Sequence, residues 1–216
     1  MPGPTEIQQT RRNEGPLTGR GAQTKASLLA AARRVFERQG FVDASIRDIA
    51  REASVSHGTF YTYFDTKEAI FSEVSSAVVE DMLGSMALPN TNADFHDRVH
   101  DAIIRYVHAY RPNAKIIGVM EQVGFSAPDL RNLRLDVRRS FVERTQRGIK
   151  RMQTAGLADA DLDVEYTAEA LGAMIEYTCY MWFTLDHEFD EDRLIEALAA
   201  IWEKSLQPAR TVRPTG

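Results

Sequence analysis

The sequence has a single cysteine, Cys179, among its 216 residues, so it cannot form a disulfide bond within the chain. No apolar run approaches the ~20 residues with which a helix crosses a bilayer. Residues 1–16 contain no apolar segment of the kind found in a signal peptide. From these absences we expect a cytoplasmic protein with no membrane partner.

The sequence also lacks the local motifs of common enzyme classes. It contains no nucleophile elbow, no phosphate-cradling glycine loop and no HExxH zinc motif. Isolated His and Asp residues occur, but none has the partner that a catalytic arrangement needs. We therefore expect no catalytic residue and no cofactor.

Charge is distributed unevenly along the chain, whose formal net charge is −5. Residues 1–70 carry ten Lys and Arg against eight Asp and Glu, a net +2, whereas residues 71–216 carry sixteen against twenty-three, a net −7. A nucleic-acid partner would therefore contact the N-terminal part. Because this basic excess is small, we expect tight binding to need two copies of the chain on one DNA site.

Residues 45–67 contain two short amphipathic segments joined by a tight turn. In the first, Ile46, Ile49, Ala50 and Ala53 recur at helical spacing, and Ser45 is suited to cap the helix because its hydroxyl accepts from a free backbone N–H. Residues 54–55 form the turn.

The second segment is His57–Tyr63, which Ser56 is placed to cap. It is too short to be a stable helix alone, and it buries little beyond Phe60 and Phe64. Its other face carries hydrogen-bonding and aromatic side chains around Gly58. This arrangement predicts a helix-turn-helix whose second helix is held from behind and enters the major groove of DNA.

The same stretch resembles the TetR family of one-component bacterial transcription regulators. The residues that carry the resemblance lie between Leu28 and Phe71, about a fifth of the chain. They are Ala32, Phe36, Gly40, Phe41, Ser45, Ile49, Ala50, Ala53, Val55, Ser56, Gly58, Thr59, Tyr61, Tyr63, Phe64, Lys67 and Glu68. One departure is Ser54, where the family usually has glycine. A left-handed turn there costs a residue with a side chain about 1 kcal/mol, so we expect slight strain.

Helical spacing and helix breakers predict an all-α chain in four parts. They are a disordered arm (1–22), a three-helix helix-turn-helix domain (23–66), a helical domain (67–206) and a disordered tail (207–216). The resemblance implies ligand binding and dimerisation for the helical domain. A first helix is predicted at Thr24–Gln39, ended by Gly40. A fourth, capped by Asp65 or Thr66, follows the recognition helix without a linker. Later helices are predicted at Ala93–Tyr110, 112–123, 126–154, Asp163–Leu185 and Asp190–Leu206.

The resemblance implies DNA contacts from eight residues: Arg47, Ser56, His57, Gly58, Thr59, Tyr61, Tyr63 and Lys67. Arg47 matches a base-contacting position, and Arg bidentate to guanine is the commonest specific contact. Gly58 allows close backbone approach, while Tyr63 and Lys67 match phosphate contacts. Two alternatives stay open. Tyr63 either contacts phosphate or packs on its own domain, and the arginines of the arm (Arg11, Arg12 and Arg20) either reach DNA or contribute nothing.

The resemblance also implies a ligand pocket among the later helices. Aromatic and methionine side chains suit an apolar small molecule, and the candidates are Tyr106, Tyr110, Met120, Phe125, Phe141, Met174, Tyr177 and Met181. Each is equally compatible with an ordinary core. Glu121 and Glu176 lie in otherwise apolar segments, where they bind a polar ligand group, face solvent or form an interface salt bridge.

The last two predicted helices are apolar on more than one side. The resemblance implies that they pair with their symmetry mates in a homodimer, although an ordinary intrachain core would look similar. His96, His100 and His108 share one helix and leave a metal-responsive regulator as an alternative. A ligand-independent architectural DNA binder is a second alternative. The function we expect is that of a repressor, released from a palindromic double-stranded DNA operator by an apolar small molecule.

Overall fold

The computed structural model describes residues 19–86, 94–126 and 128–207, with the backbone alone for residues 124–126 and 128–129. Within these ranges the chain is helical, with no strand, which confirms the all-α prediction. The helices are α1 (Gly19–Asp43), α2 (Ile46–Glu52), α3 (His57–Tyr63), α4 (Lys67–Ser85), α5 (Phe95–Tyr110), α6 (Ala114–Ser126), α7 (Pro128–Thr154), α8 (Val164–Phe183) and α9 (Glu191–Leu206). A 3-10 turn (Arg111–Asn113) joins α5 to α6.

Helix α1 begins five residues before the predicted start at Thr24. The hydroxyl of Thr24 donates to the carbonyl of Arg20 at 3.0 Å instead of capping a helix, and Ser27 donates in the same way one turn later. Residues 19–22, assigned to a disordered arm, are therefore helical, and Arg20 lies in the first turn of α1. The rest of the arm, with Arg11 and Arg12, lies outside the described residues.

Gly40 interrupts α1 as predicted, with a φ of 74° that glycine adopts without strain. Phe41 then packs against Phe36 of α1 and Phe71 of α4, and Phe71 lies with its ring centroid 5.0 Å from that of Phe36. Because α4 supplies Phe71 to the core of the first three helices and continues into the rest of the chain, it belongs to both parts of the molecule.

A second connection joins α1 to the start of α6. Nη2 of Arg33 donates to Oδ1 of Asn113 at 2.8 Å and to the carbonyl of Pro112 at 3.1 Å. Asn113 is itself buried and donates to the carbonyl of Ala109. The first three helices thus rest on the corner between α5 and α6, as well as on α4.

The turn between α2 and α3 contains the expected strained residue. Ser54 has a φ of 56°, the left-handed conformation that the departure from glycine predicted. The turn keeps its geometry through backbone bonds from Ser54 to the carbonyl of Arg51 and from Val55 to the carbonyl of Ala50.

Ser54→Gly is expected to raise the free energy of unfolding by about 1 kcal/mol, because glycine has no side chain to clash in this conformation. Chemical unfolding followed by circular dichroism measures the change. Ser140→Gly is the matched control: Ser140 lies inside α7, where glycine lowers stability by roughly 0.5–1 kcal/mol. Changes of the same sign in both variants would contradict strain at Ser54.

Helix α9 packs antiparallel to α5 through three His–Glu pairs. They are His96–Glu203 at 2.7 Å, His100–Glu196 at 3.2 Å and His108–Glu191 at 3.3 Å. The hydrogen bond that Glu203 accepts from His96 raises the pKa of that histidine above its ordinary value. The three histidines, considered above as metal ligands, therefore link two helices, and the described residues contain no cluster of three or more metal-ligating side chains.

Cys179 lies inside α8 and is 1% exposed. Burial, with the carboxylate of Glu176 nearby, raises the pKa of its thiol to about 12.

Among the described helices, none is long and apolar enough to cross a membrane.

Candidate functional site

Helix α3 is fixed from its inner side. The hydroxyl of Ser56 accepts from the backbone N–H of Thr59 at 3.0 Å and so caps the helix. Phe60 and Phe64 are buried behind it. Since a seven-residue helix has little stability of its own, these contacts are what hold α3 in place, and they confirm the expected cap and inner face.

The outer face of α3 is uncovered. His57, Gly58, Tyr61 and Thr62 are exposed, and the rings of His57 and Tyr61 pack edge to face at 5.1 Å. A Cβ added at Gly58 would meet only the hydroxyl of Ser56, at an ordinary contact distance of 3.8 Å. Packing within the chain therefore does not require glycine at this position.

Arg47 on α2 differs from the other arginines around it. Arg34 and Arg38 of α1 both pair with Glu52, whereas the exposed Arg47 makes no hydrogen bond or ion pair with any described residue. The hydrogen bond from Ser45 to Asp48, on the same helix, lowers the pKa of that carboxyl. Arg47 thus remains available to an external acceptor.

A polar groove separates the start of α1 from α3. Arg20, Thr24, Ser56, Thr59 and Tyr63 line it. The Tyr63 ring also packs against the hydrophobic core, so both alternatives considered for Tyr63 have structural support. Arg20 lines the same groove and adds a positive charge opposite α3.

Lys67 lies at the start of α4, where a phosphate contact was expected, but its ammonium group points inward. Nζ donates to the carbonyl oxygens of Phe41 at 2.7 Å, Ala44 at 2.9 Å and Val42 at 3.2 Å. It also lies 4.5 Å from the centre of the Phe41 ring. The phosphate contact remains a prediction. For it to form, the ammonium group would have to leave the three carbonyl oxygens, which would then lose their hydrogen-bond donor.

An interior cavity of about 180 Å³ lies among α4–α9. An engineered cavity of about 150 Å³ takes up benzene in another protein, so this volume accommodates an apolar group. Four of the eight predicted ligand residues line it: Tyr106, Tyr110, Met120 and Phe141. The side chain of Phe125 lies outside the described residues.

Three predicted ligand residues, Met174, Tyr177 and Met181, do not line this cavity, so a ligand bound in it would not contact them without rearrangement. Successive residues of an α-helix are about 100° apart. Helix α8 turns Ile175 and Glu176 toward the cavity, which places Tyr177 on the outside, 64% exposed. Met174 lies three residues before Tyr177 and Met181 four residues after it, so both lie near Tyr177 on the surface of α8.

Charged side chains in the cavity wall form two sets of ion pairs. Glu121 pairs with Arg134, and Arg138 bridges Glu176 at 2.6 Å and Glu169 at 2.7 Å. Burial raises the pKa of Glu176 even though Arg138 acts in the opposite direction. Glu121 and Glu176 thus form salt bridges within the chain, which differs from each of the alternatives considered for them.

Sequence reasoning missed further polar side chains of the wall, among them Arg98, Arg144, Arg151 and Trp202. A signal was present, because Arg144 and Arg151 are seven residues apart and follow Phe141 on one side of α7. Lysines and arginines at helical spacing usually face water, however. The neighbouring sequence does not distinguish these two arginines from solvent-exposed ones.

Comparison with protein-family models gives two matches. Residues 28–74 match the model described as bacterial regulatory proteins, tetR family. Residues 99–207 match the model of the C-terminal domain of the transcriptional regulator EthR. The first match contains α2 and α3, and the second contains most of the helices that enclose the cavity.

Full-length relatives agree with both matches. The HTH-type transcriptional regulator YdgC of Bacillus subtilis is 29% identical over 167 residues, which cover 74% of this chain and 82% of the relative. EthR of Mycolicibacterium smegmatis is 24% identical over 209 residues, covering 94% and 95%. The fold is also that of Bacillus subtilis FadR, solved in complex with stearoyl-CoA, with a TM-score of 0.69, 19% identity and coverage of 84% and 99%.

Proposed function

Because this chain belongs to the TetR family of bacterial regulatory proteins and is a DNA-binding transcription regulator, we propose that it is a repressor released from its operator by a small molecule. The observation that carries this proposal is the recognition helix α3. Its inner side is buried on Phe60, while His57, Gly58 and Tyr61 are exposed. Arg47 of α2 is exposed as well and pairs with no described residue. A short helix held in this way has a suitable shape to enter the major groove.

A homodimer would place two such helices on one operator. Helix α8 leaves Tyr166, Ala170, Ala173 and Tyr177 exposed at helical spacing, and α9 leaves Ala197, Ala200 and Ile201 exposed. Exposed apolar stripes of this length commonly mark interaction surfaces. Small residues allow helices to approach closely, and a two-fold dimer needs one self-complementary patch. We therefore assign these two stripes to the dimer interface.

A response to ligand requires that a change in the cavity alters the position of α3. Two of the elements that line it, α4 and α6, both contact α1, and α4 starts four residues after α3 ends. A ligand that prefers another arrangement of α4 and α6 shifts the spacing of the two DNA-binding domains. The shift is limited by the difference between its affinities for the two arrangements. FadR, whose fold is similar, was solved with stearoyl-CoA, and this supports a ligand with an apolar portion.

Selection of tightly bound sequences from random DNA tests the proposal. We expect a near-palindromic site whose half-sites are separated by one helical turn or a multiple, on the order of 34–36 Å per turn. A selected pool without symmetry, or binding without sequence preference, would contradict a dimeric repressor with one recognition helix in each half-site.

Arg47→Ala is expected to relax the base preference at one position of each half-site, at a cost of about 1–3 kcal/mol for the preferred base. Competition binding against a set of single-base operator variants measures it. Arg51→Ala is the control, because Arg51 lies on the same helix but is paired with Asp48 at 2.5 Å. Equal losses on every operator variant would rule out base recognition by Arg47.

A further inference from the structure

The cavity is elongated along α5. Its lining on that helix runs from one end to the other: Arg98, Val99, Ala102, Ile103, Tyr106 and Tyr110. With a rise of 1.5 Å per residue, Arg98 and Tyr110 are separated by about 18 Å along the axis. The cavity is therefore shaped for a molecule longer than it is wide, whose two ends meet different surroundings.

The arginines of the wall fall into two kinds. Arg134 and Arg138 pair with carboxylates, as described above. Arg144 instead donates from Nη2 to the backbone carbonyl of Met86, and the exposed Arg151 makes no bond to any described residue. The wall contains five arginines against two glutamates, so the formal charge of its side chains is positive.

Arg144 is surrounded by like charges. Burial, with the neighbouring Arg151 and Arg147, lowers the pKa of its guanidinium. Among the described residues no carboxylate forms an ion pair with Arg144, and Glu143, its neighbour in sequence, lies 3.8 Å from Arg147. Two arginines that line one cavity, neither of them paired with a described carboxylate, are suited to bind an external anion.

A second, independent observation places an unsatisfied donor at the same end. Trp202 of α9 lines the cavity, and its Nε1 is buried without an acceptor among the described residues. The backbone bond from Asp159 to Leu206, 2.9 Å long, holds the end of α9 beside the segment that follows α7. Trp202 therefore lies at the Arg151 end of the cavity, and an acceptor supplied by a ligand would satisfy it.

We propose that the effector is an amphipathic anion whose charged group binds Arg144 and Arg151 and whose alkyl portion fills the cavity toward Tyr110. This rests on the proposed function, since it assigns the chemistry of the ligand in the same cavity. The anionic group is a carboxylate or a phosphate. It differs from the apolar compound that the aromatic and methionine residues predicted in having a charged end.

The contact between Arg144 and Met86 connects this site to the DNA-binding domain. Met86 is the C-cap of α4, and its carbonyl holds α4 to α7 through Arg144. An anion makes a stronger, charge-assisted hydrogen bond than a neutral carbonyl does, so it draws Arg144 away from Met86. The end of α4 is then released from α7, while the other end of α4 continues into the recognition helix.

Matched probes test the charge assignment. Decanoate, decyl phosphate and decanol share one alkyl chain and differ in the head group. Isothermal titration calorimetry of the full chain, below the micelle concentration, is expected to give at least about tenfold tighter binding for one of the anions than for decanol. Comparison of the two anions identifies carboxylate or phosphate as the preferred group.

Variants on α7 locate the anion. In Arg144→Gln and in Arg151→Gln, the affinity for the anion should fall to within about twofold of that for decanol, while the affinity for decanol stays the same. Arg144→Lys should retain part of the preference for the anion. Arg139→Gln, at an arginine paired with Asp136 on the outside of the same helix, should retain the full preference. The melting temperature of each variant without ligand shows that it is folded.

Three outcomes would overturn the inference. They are equal binding of decanol and the anions, a preference that persists in Arg144→Gln and Arg151→Gln, or no binding of any probe. Equal binding leaves the cavity as a ligand site and so leaves the proposed function intact. Failure of the proposed function appears separately, in the DNA selection, which uses no ligand.

Discussion

A glutamate in place of Ile201 on α9, combined with Tyr177→Glu on α8, is expected to convert the dimer to monomers and to weaken operator binding by about a hundredfold or more. Both side chains are exposed in the single chain, at 47% and 64%, and would be covered in a dimer. Burying an unpaired carboxylate at an apolar interface costs several kcal/mol. Loss of the second recognition helix removes an avidity gain of about 10²–10⁴.

Sedimentation equilibrium measures the change of mass, and titration of the selected operator at fixed salt measures the change of affinity. Leu135→Glu is the matched control, because Leu135 is also 47% exposed but lies on α7, outside both stripes. It should leave the mass and the operator affinity unchanged. A double variant that stays dimeric and binds the operator within about twofold of the original would remove α8 and α9 from the interface.

Lys67→Met is expected to lower the free energy of unfolding by about 2–3 kcal/mol, with a fall of the melting temperature of roughly 5–10 °C. Methionine keeps much of the side-chain volume but removes the three donors that hold the carbonyls of Phe41, Val42 and Ala44. These carbonyls end α1 and lead into α2, so the helix-turn-helix loses a tie between its first helix and α4.

Unfolding without DNA separates this role from a phosphate contact. If Lys67 contacted only DNA, its substitution would leave the melting temperature unchanged. It would instead lower the slope of the salt dependence of DNA binding by the amount expected for about one phosphate contact. Lys25→Met is the control, because Lys25 makes a partly exposed ion pair with Glu73 at 2.6 Å, and such pairs are worth less than about 1 kcal/mol. Equal destabilisation by the two substitutions would contradict the structural role of Lys67.

Features that depend only on residues within one helical turn of each other were predictable from the sequence. The caps Ser45, Ser56 and Thr66 each bond to a backbone N–H three residues later. The strain at Ser54 depends on a single φ angle that the turn imposes. The helix-turn-helix could be recognised because its determinants are neighbours in sequence, and side-chain capping and helical periodicity are local rules.

Features that depend on how helices face one another were not predictable in the same way. Tyr177 has the aromatic character of a cavity residue, but the register of α8 turns it outward. Lys67 has the charge of a phosphate ligand, but the end of α1 lies within its reach. Arg144 lies in a helix rich in arginine, and only the approach of Met86 shows that it faces inward. Residue type sets what a side chain can do, and tertiary contacts decide which partner it meets.

The buried thiol of Cys179 makes the chain suited to site-directed labelling. A thiol with a pKa of about 12 and 1% exposure has neither the thiolate nor the access that maleimide reagents need. A cysteine introduced at Val42, which is 73% exposed in the N-terminal domain, would carry the only spin label on each protomer, and Cys179 would not have to be replaced. Electron-electron resonance between two such labels in a dimer would then report the distance between the DNA-binding domains, before and after an effector is added.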